Sequence, residues 1–215
     1  MALKRILLGF ALLVGCQNKD YIDPEPYTYT IERFKDVDKA LILCNDEAEY
    51  YAVLNTLDPN IRSLNYSMSF NKHNKSASGI IYGIKVDVYI KGKIPKNKLY
   101  DIIALRGHQC EMEDLFNESK EHEDDNVLYL LGGCWSAYKY PGKWESRHRA
   151  VIGNIGKGNS SNNSHMFRLV LRGINKSPTW DELTTNIEKD SQFAKRQVYF
   201  PGEISALCVG GSERG

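Results

Sequence analysis

The chain has 215 residues, of which 42% are hydrophobic and 26% are charged, and its formal net charge is +1. This length is sufficient for one domain with a proper hydrophobic core. The near balance of acidic and basic residues gives no indication of a nucleic-acid partner or an acidic membrane surface, because both select strongly basic proteins.

Residues 1–15 have the features of a secretory signal. Lys4 and Arg5 precede an apolar run, residues 6–14, which is too short to span a bilayer as a mature helix. The sequence Leu13-Val14-Gly15-Cys16 resembles the lipobox of bacterial lipoproteins, which implies cleavage before Cys16 and lipid attachment to its thiol. The alternative is an ordinary signal peptide that contains a cysteine.

We expect a tether and then a single domain after the signal segment. Residues 16–29 carry two prolines among polar side chains, which is typical of a linker. Residues 30–215 are expected to fold as one unit. Acyl chains at Cys16 would anchor this otherwise soluble domain in the bacterial cell envelope. Gln17, rather than Asp, follows the cysteine and favours the outer membrane over the inner one.

Apolar runs alternate with helical patterns in the first half of the domain. Strands are predicted at residues 37–44 and 61–70, strands or a hairpin at residues 79–90, and helices at residues 48–57 and 95–100. Together with the later runs, this alternation favours an α/β fold with three α-β-α layers around a mostly parallel central sheet.

Two further runs share one design. Residues 101–108 read DIIALRGH, and residues 127–134 read VLYLLGGC. A helix with Met112, Leu115 and Phe116 on one face separates them, so the whole has the length of one βαβ unit. Open α/β folds place their sites at the carboxyl ends of parallel strands. We therefore expect His108 and Cys134 to lie side by side at one edge of the sheet.

This pair of residue types supports nucleophilic catalysis. A cysteine attacks as the thiolate, which a nearby imidazolium or a helix N-terminus stabilises. We expect His108 to supply the first, and a helix after Cys134 to supply the second. The backbone N–H groups of Gln109 and Cys134 are the candidate donors to a developing oxyanion. No third catalytic member is evident in the sequence.

The remaining segments are predicted as connections, helices and two strands. The charged run at residues 121–125 is interpreted as a solvated connection with His122 at the surface. Residues 135–149 are interpreted as a loop over the site, with room for a short helix. The glycine-rich residues 153–160 are interpreted as a flexible active-site loop rather than a phosphate site, because they lack the P-loop pattern. Strands are predicted at 150–152 and 197–208, and helices at 165–174 and from Pro178, with Thr179 as N-cap.

The two motifs resemble those of the caspase–gingipain–clostripain group of cysteine peptidases, clan CD. Leu105-Arg-Gly-His108 and Leu130-Leu-Gly-Gly-Cys134 are similar to an Arg-Gly-His motif and a Leu-Gly-Ser/Gly-Cys-Gly motif in a set of bacterial relatives of that group. The resemblance implies a caspase-like fold, with His108 as the general acid or base and Cys134 as the nucleophile. It implies a peptide or protein substrate and no cofactor.

The sequence departs from that pattern beside both motif residues. Gln109 follows the histidine where the clan usually has glycine, and the bulky Trp135 follows the cysteine. Asp46 and Glu47 end the first strand, and with Trp135 they form a candidate substrate pocket that would favour a basic P1 residue. The alternative for these two acids is a polar turn or the N-terminus of a helix.

Other interpretations of the same residues stay open at this stage. Cys44, Cys110, Cys134 and Cys208 follow Cys16, and an exported protein could pair Cys110 with Cys134 in a disulfide. The chain could be a binding or scaffold lipoprotein that keeps the fold without turnover. A zinc site of His108, Cys110 and Cys134 is a third alternative, although no CxxC or HxxxH spacing supports it.

Overall fold

A computed structural model describes residues 31–34, 36–57, 66–71, 73–146, 148–154, 157–190 and 198–199. The predicted export signal, the tether and most of the strand predicted at residues 197–208 lie outside the described residues. Where the chain is described, no helix is both long and apolar enough to cross a bilayer.

The described strands form one eight-stranded sheet with the order β2-β3-β4-β1-β5-β6-β7-β8. Neighbouring strands from β4 to β7 are parallel, while β2, β3 and β8 add antiparallel pairs at the two ends. The strands are β1 (Lys39–Cys44), β2 (Tyr66–Asn71), β3 (Ser76–Ile81), β4 (Ile84–Ile90), β5 (Tyr100–Arg106), β6 (Glu123–Leu131), β7 (Arg149–Asn154) and β8 (Val198–Tyr199).

Helices cover both faces of the sheet, so the protein is a three-layer α/β protein, as predicted. Those named here are α1 (Glu47–Thr56), α2 (Met112–Ser119), α3 (Ser136–Lys139), α4 (Pro141–Trp144), α5 (Ser160–Gly173) and α6 (Trp180–Glu188). Residues of α1, α5 and α6 lie in the hydrophobic core on one face of the sheet. Residues of α2 and α4 lie in the core on the other face, and Ala137 of α3 is buried next to it.

The central strand β6 shows why the sequence adopts this layered arrangement. Leu128 and Leu130 enter the core on one face of the sheet, and Tyr129 and Leu131 enter the core on the other. A strand that is buried on both faces needs a continuous apolar run, which residues 127–131 supply.

The β3–β4 hairpin closes with a two-residue turn formed by Tyr82 and Gly83. Both residues have positive φ, because a turn of this length must match the right-handed twist of the two strands.

Helix ends follow the capping signals in the sequence. The side chain of Thr179 accepts a hydrogen bond from the N–H of Glu182 at 3.1 Å, so the predicted N-cap is confirmed. The predicted α2 face is also confirmed, since Met112, Leu115 and Phe116 are all buried. The helix predicted at residues 165–174 begins earlier, at Ser160, where Asn159 caps it.

Two predictions in the middle of the chain were wrong. Residues 95–100 form a turn instead of a helix, with Asn97 at φ +66°, a left-handed conformation that a helix cannot contain. His122 is 6% exposed rather than at the surface, and its Nδ1 lies 3.0 Å from the carbonyl oxygen of Lys98. The charged run ends in β6, where Glu123 pairs with Arg149 at 2.8 Å.

We predict that Phe116→Ala destabilises the protein by about 3–5 kcal/mol, because Phe116 stacks on Trp144 with ring centroids 3.9 Å apart and is buried. Phe70→Ala is the control, because Phe70 is exposed on β2, and its expected cost is below about 1 kcal/mol. Urea unfolding of both variants measures the difference. Equal losses would contradict the packing described for α2 and α4.

Candidate active site

The candidate site lies where β5 and β6 end. These strands are parallel neighbours, with Ile102 opposite Leu128 and Leu105 opposite Leu131. The same offset in sequence joins His108 to Cys134, so the two residues follow adjacent strands at equivalent positions. The N–H of Gly132 donates to the carbonyl of Leu105 at 2.8 Å, which extends the strand pairing toward the site.

The two loops that follow these strands are in contact. A Cβ atom placed on Gly133 would lie 3.5 Å from Cα of Gln109 and 3.0 Å from Cγ of Met112. The loop that carries Cys134 therefore packs directly against the turn that carries His108. The absence of a side chain at Gly133 permits this approach.

The turn after β5 is fixed by its own hydrogen bonds. The N–H of His108 donates to Oε2 of Glu111 at 2.6 Å, and the N–H of Glu111 donates to the carbonyl of His108 at 3.0 Å. The buried hydroxyl of Tyr140 donates to the carbonyl of Gln109 at 2.6 Å and ties the turn to the segment after β6. His108 itself is exposed, and its N–H is committed to Glu111.

Cys134 is half-buried, and its Sγ lies 3.8 Å from the carbonyl oxygen of Gly158. The helix expected after it is only the four-residue α3, because α4 starts a new turn at Pro141. So short a helix adds little dipole field at the thiol, and the expected helix N-terminus is not provided. Trp135 precedes α3 in the left-handed conformation, with φ +56°, and is 46% exposed.

Two buried asparagines hold the Gly132–Cys134 loop from below, and the buried Ser136 is hydrogen-bonded to one of them. Nδ2 of Asn163 donates to the carbonyl of Gly132 at 2.8 Å. Nδ2 of Asn154 donates to Oδ1 of Asn163 at 2.8 Å and to the carbonyl of Gly133 at 3.4 Å. Ser136 Oγ accepts from the N–H of Asn154 at 2.9 Å. Sequence reasoning assigned no role to Asn154 or Ser136, because an isolated polar residue in a loop-like segment carries no signal of burial.

A buried ion pair supports the end of β5. Arg106 is 3% exposed, and its guanidinium donates to Oε1 of Glu49 from Nε at 3.0 Å and from a terminal nitrogen at 2.6 Å. Ser160 Oγ lies 3.2 Å from the same carboxylate oxygen. The arginine of the Arg-Gly-His motif thus links β5 to α1 and α5, next to Gly132.

The acids predicted to line a substrate pocket lie at the same edge of the sheet. The N–H of Asn45 donates to the carbonyl of Arg106 at 2.8 Å, which joins the end of β1 to the end of β5. Asp46 caps α1 by accepting the N–H of Glu49 at 2.9 Å, and Glu47 pairs with Lys75. Both carboxylates therefore have intramolecular partners.

The three described cysteines are free thiols, so the alternative of a Cys110–Cys134 disulfide is not realised. Cys110 is exposed, whereas Cys44 is buried, and burial raises the pKa of the Cys44 thiol far above its ordinary value. Within the ranges given above, no three His, Cys, Asp or Glu side chains are grouped to hold a metal ion. His108, Cys110 and Cys134 therefore do not form a zinc set.

The fold and the site together define an α/β protein of three layers with a cysteine and a histidine at the carboxyl edge of its sheet. The chain matches no protein-family model and no curated protein. Among solved structures it has a partial likeness to the large terminase from a thermophilic bacteriophage, with 12% identity and a TM-score of 0.38. The alignment covers 59% of this chain and 34% of the terminase chain, and carries no argument about function.

We predict that Glu49→Ala costs about 2 kcal/mol of stability, because it leaves the buried Arg106 guanidinium without its carboxylate. The figure is reduced because the Glu49 side chain is partly exposed. Glu47→Ala removes a carboxylate from the same helical turn, but its pair with Lys75 is exposed to solvent, so a clearly smaller loss of stability is expected. Urea unfolding tests this, and an equal loss in the two variants would contradict the role of Arg106.

Proposed function

We propose that this protein is an exported cysteine-dependent acyl-transfer enzyme that hydrolyses peptide bonds with a Cys134–His108 dyad. The observation that carries the proposal is the strand register, which brings both residues to adjoining loops at one edge of the sheet. Covalent catalysis by cysteine requires a base within hydrogen-bond reach of the thiol, and this shared edge is the arrangement that supports such a pairing.

The chemistry follows from the two side chains. The imidazole of His108 accepts the Cys134 proton, and the thiolate attacks the substrate carbonyl to form a tetrahedral oxyanion. The imidazolium then gives the proton to the leaving amine, which departs as the thioester forms. Water attacks the thioester with His108 as general base, which releases the acid and restores the thiol.

Oxyanion stabilisation is assigned to the backbone. The N–H of His108 is committed to Glu111, whereas those of Gln109 and Cys134 have no hydrogen-bond partner among the described residues. Two backbone donors of this kind, held in fixed turns, can bind the developing negative charge. The substitution of Gln109 for the clan's glycine leaves this N–H in place.

The proposal includes lipid anchoring at Cys16 in the bacterial cell envelope, with the outer membrane favoured over the inner one. It rests on the lipobox-like Leu13-Val14-Gly15-Cys16 sequence after an apolar run. A short lipid-bearing tether would keep the catalytic domain close to the membrane, where peptide or protein substrates of the envelope are within reach.

A second candidate function is a binding lipoprotein without turnover, and Trp135 favours it. Its side chain is 46% exposed, and it follows Cys134 directly in the sequence, where the resembled motif has glycine. An exposed aromatic side chain at this position can bind an apolar side chain of a peptide, and it also occupies space that a substrate backbone would use.

We predict that Cys134 reacts with iodoacetamide at neutral pH at least about tenfold faster than Cys110, because only Cys134 has the dyad imidazole to accept its proton. Cys110 is the internal control, since it is more exposed on the same edge of the sheet. Cys44 is expected to stay unlabelled until the protein unfolds, because burial raises its pKa and keeps it as the thiol. Peptide mass spectrometry gives the three rates.

In the same assay His108→Ala is expected to slow Cys134 to the rate of Cys110 and to lower hydrolysis of an ester or peptide substrate by about 10²-fold or more. Cys134→Ala should abolish hydrolysis. His148→Ala is a matched control, because His148 is an exposed histidine that precedes β7. Rapid labelling without any hydrolysis would favour the binding lipoprotein instead, and slow labelling of Cys134 would contradict the dyad.

We predict that cells supplied with an alkyne-bearing palmitate label the protein and that Cys16→Ala abolishes the label. The variant is also expected to leave the membrane pellet, because the lipid at Cys16 is the proposed anchor. Cys110→Ala should keep both properties. A Cys16→Ala protein that remains labelled and sedimenting would refute lipidation at this residue.

A further inference from the structure

The carbonyls of the loop that carries Cys134 accept hydrogen bonds from side-chain amides rather than from backbone N–H groups. Asn154 is 6% exposed and Asn163 is 5% exposed, and they come from β7 and α5 to meet below Gly132 and Gly133. Their amide N–H groups donate to two successive carbonyls of the loop, and Nδ2 of Asn154 also donates to Oδ1 of Asn163. Gly158 packs against the same groups, since a Cβ atom there would lie 2.7 Å from Asn154 Nδ2.

These bonds determine which way the Cys134 N–H points. In a trans peptide unit the C=O and the N–H point in opposite directions, and the structure contains no cis peptide bond among the described residues. The carbonyl of Gly133 is directed at Asn154, so the N–H of Cys134, in the same peptide unit, is directed away from the buried amides. No described residue accepts a hydrogen bond from it.

We propose that Asn154 and Asn163 are positioning residues that orient the Gly133–Cys134 peptide so that its N–H serves as the oxyanion donor. Asn163 fixes the carbonyl of Gly132 and, through Oδ1, fixes the amide of Asn154, which in turn fixes the carbonyl of Gly133. Neither side chain contacts the substrate. The inference rests on the proposed acyl-transfer function, and it adds the residues that prepare the backbone for that reaction.

The position of Ser136 separates this role from simple stabilisation. Ser136 is as buried as the two asparagines and belongs to the same network, but its hydroxyl contacts the N–H of Asn154 and the carbonyl of Leu131. It contacts neither Gly132 nor Gly133. Loss of Ser136 should therefore cost stability as loss of an asparagine does, without releasing the peptide that bears the N–H.

Two probes distinguish thiol reactivity from oxyanion stabilisation. Alkylation of Cys134 by iodoacetamide forms no oxyanion, whereas acylation by p-nitrophenyl acetate passes through one, and release of p-nitrophenolate reports it. Both rates are measured on the full chain, after subtraction of the rates of Cys134→Ala. The ratio of acylation to alkylation is the quantity that the orientation of the peptide controls.

We expect Asn154→Ala and Asn163→Ala to lower this ratio by about tenfold or more, because a misdirected donor forfeits much of its effect. Ser136→Ala and Asn162→Ala, the latter an exposed neighbour on α5, should leave the ratio within about twofold. Asn163→Asp keeps the shape of the side chain but not its donor. If Asn163→Ala fails to fold, Asn163→Asp is measured instead, and the same decrease in the ratio of acylation to alkylation is expected.

An unchanged ratio in the asparagine variants, or an equal fall in Ser136→Ala, would overturn the positioning role while leaving the dyad intact. A wild-type protein that alkylates rapidly but is not acylated by p-nitrophenyl acetate would contradict the proposed acyl transfer itself, and the inference would fail with it. The two failures are thus told apart by the wild-type rates alone.

Discussion

The parallel pairing of β5 with β6 is the constraint on which the candidate site depends. Its register is set by packing on both faces of the sheet, because alternate residues of β6 enter two different cores. A slip by one residue would exchange the two sets and drive Tyr129 into the space of Leu128. Packing in the two hydrophobic cores thus fixes the β5–β6 register, and the register fixes the relative positions of His108 and Cys134. The sheet therefore determines which residues meet at the site, and the loops after β5 and β6 determine their local conformation.

Polar groups near the site are buried, and each burial is balanced by a specific partner. The Arg106 guanidinium has the Glu49 carboxylate, and the amides of Asn154 and Asn163 have each other and two backbone carbonyls. An unpaired group at any of these positions would carry the full cost of lost hydration. These contacts join β5, β7, α1 and α5, elements that are distant in sequence, so the site forms only when the domain is assembled.

Local sequence patterns predicted the strands that matter most for function. The apolar runs of β5 and β6 end at glycines, and the intervening α2 has a clear apolar face, so their adjacency followed from the length of one crossover. The two asparagines below Cys134 were beyond such reasoning, because their burial arises from the convergence of β7 and α5. Likewise, the burial of His122 accompanies a tertiary contact between its ring and the carbonyl of Lys98. Neither this contact nor the turn at Asn97 gives the sequence a periodicity that would reveal it.

Helix α5 makes three separate contacts at or near the site. Ser160 lies at the Glu49 carboxylate, Asn163 holds the carbonyl of Gly132, and Ser164 Oγ lies 2.6 Å from Oγ1 of Thr56 at the end of α1. Native proteins open in cooperative units whose members lose their protection together. Undocking of α5 would remove its contacts with the Glu49 carboxylate, the Cys134 loop and α1 in a single event. The lifetime of a competent site is therefore bounded by the opening rate of one helix, which lies on the opposite face of the sheet from α2.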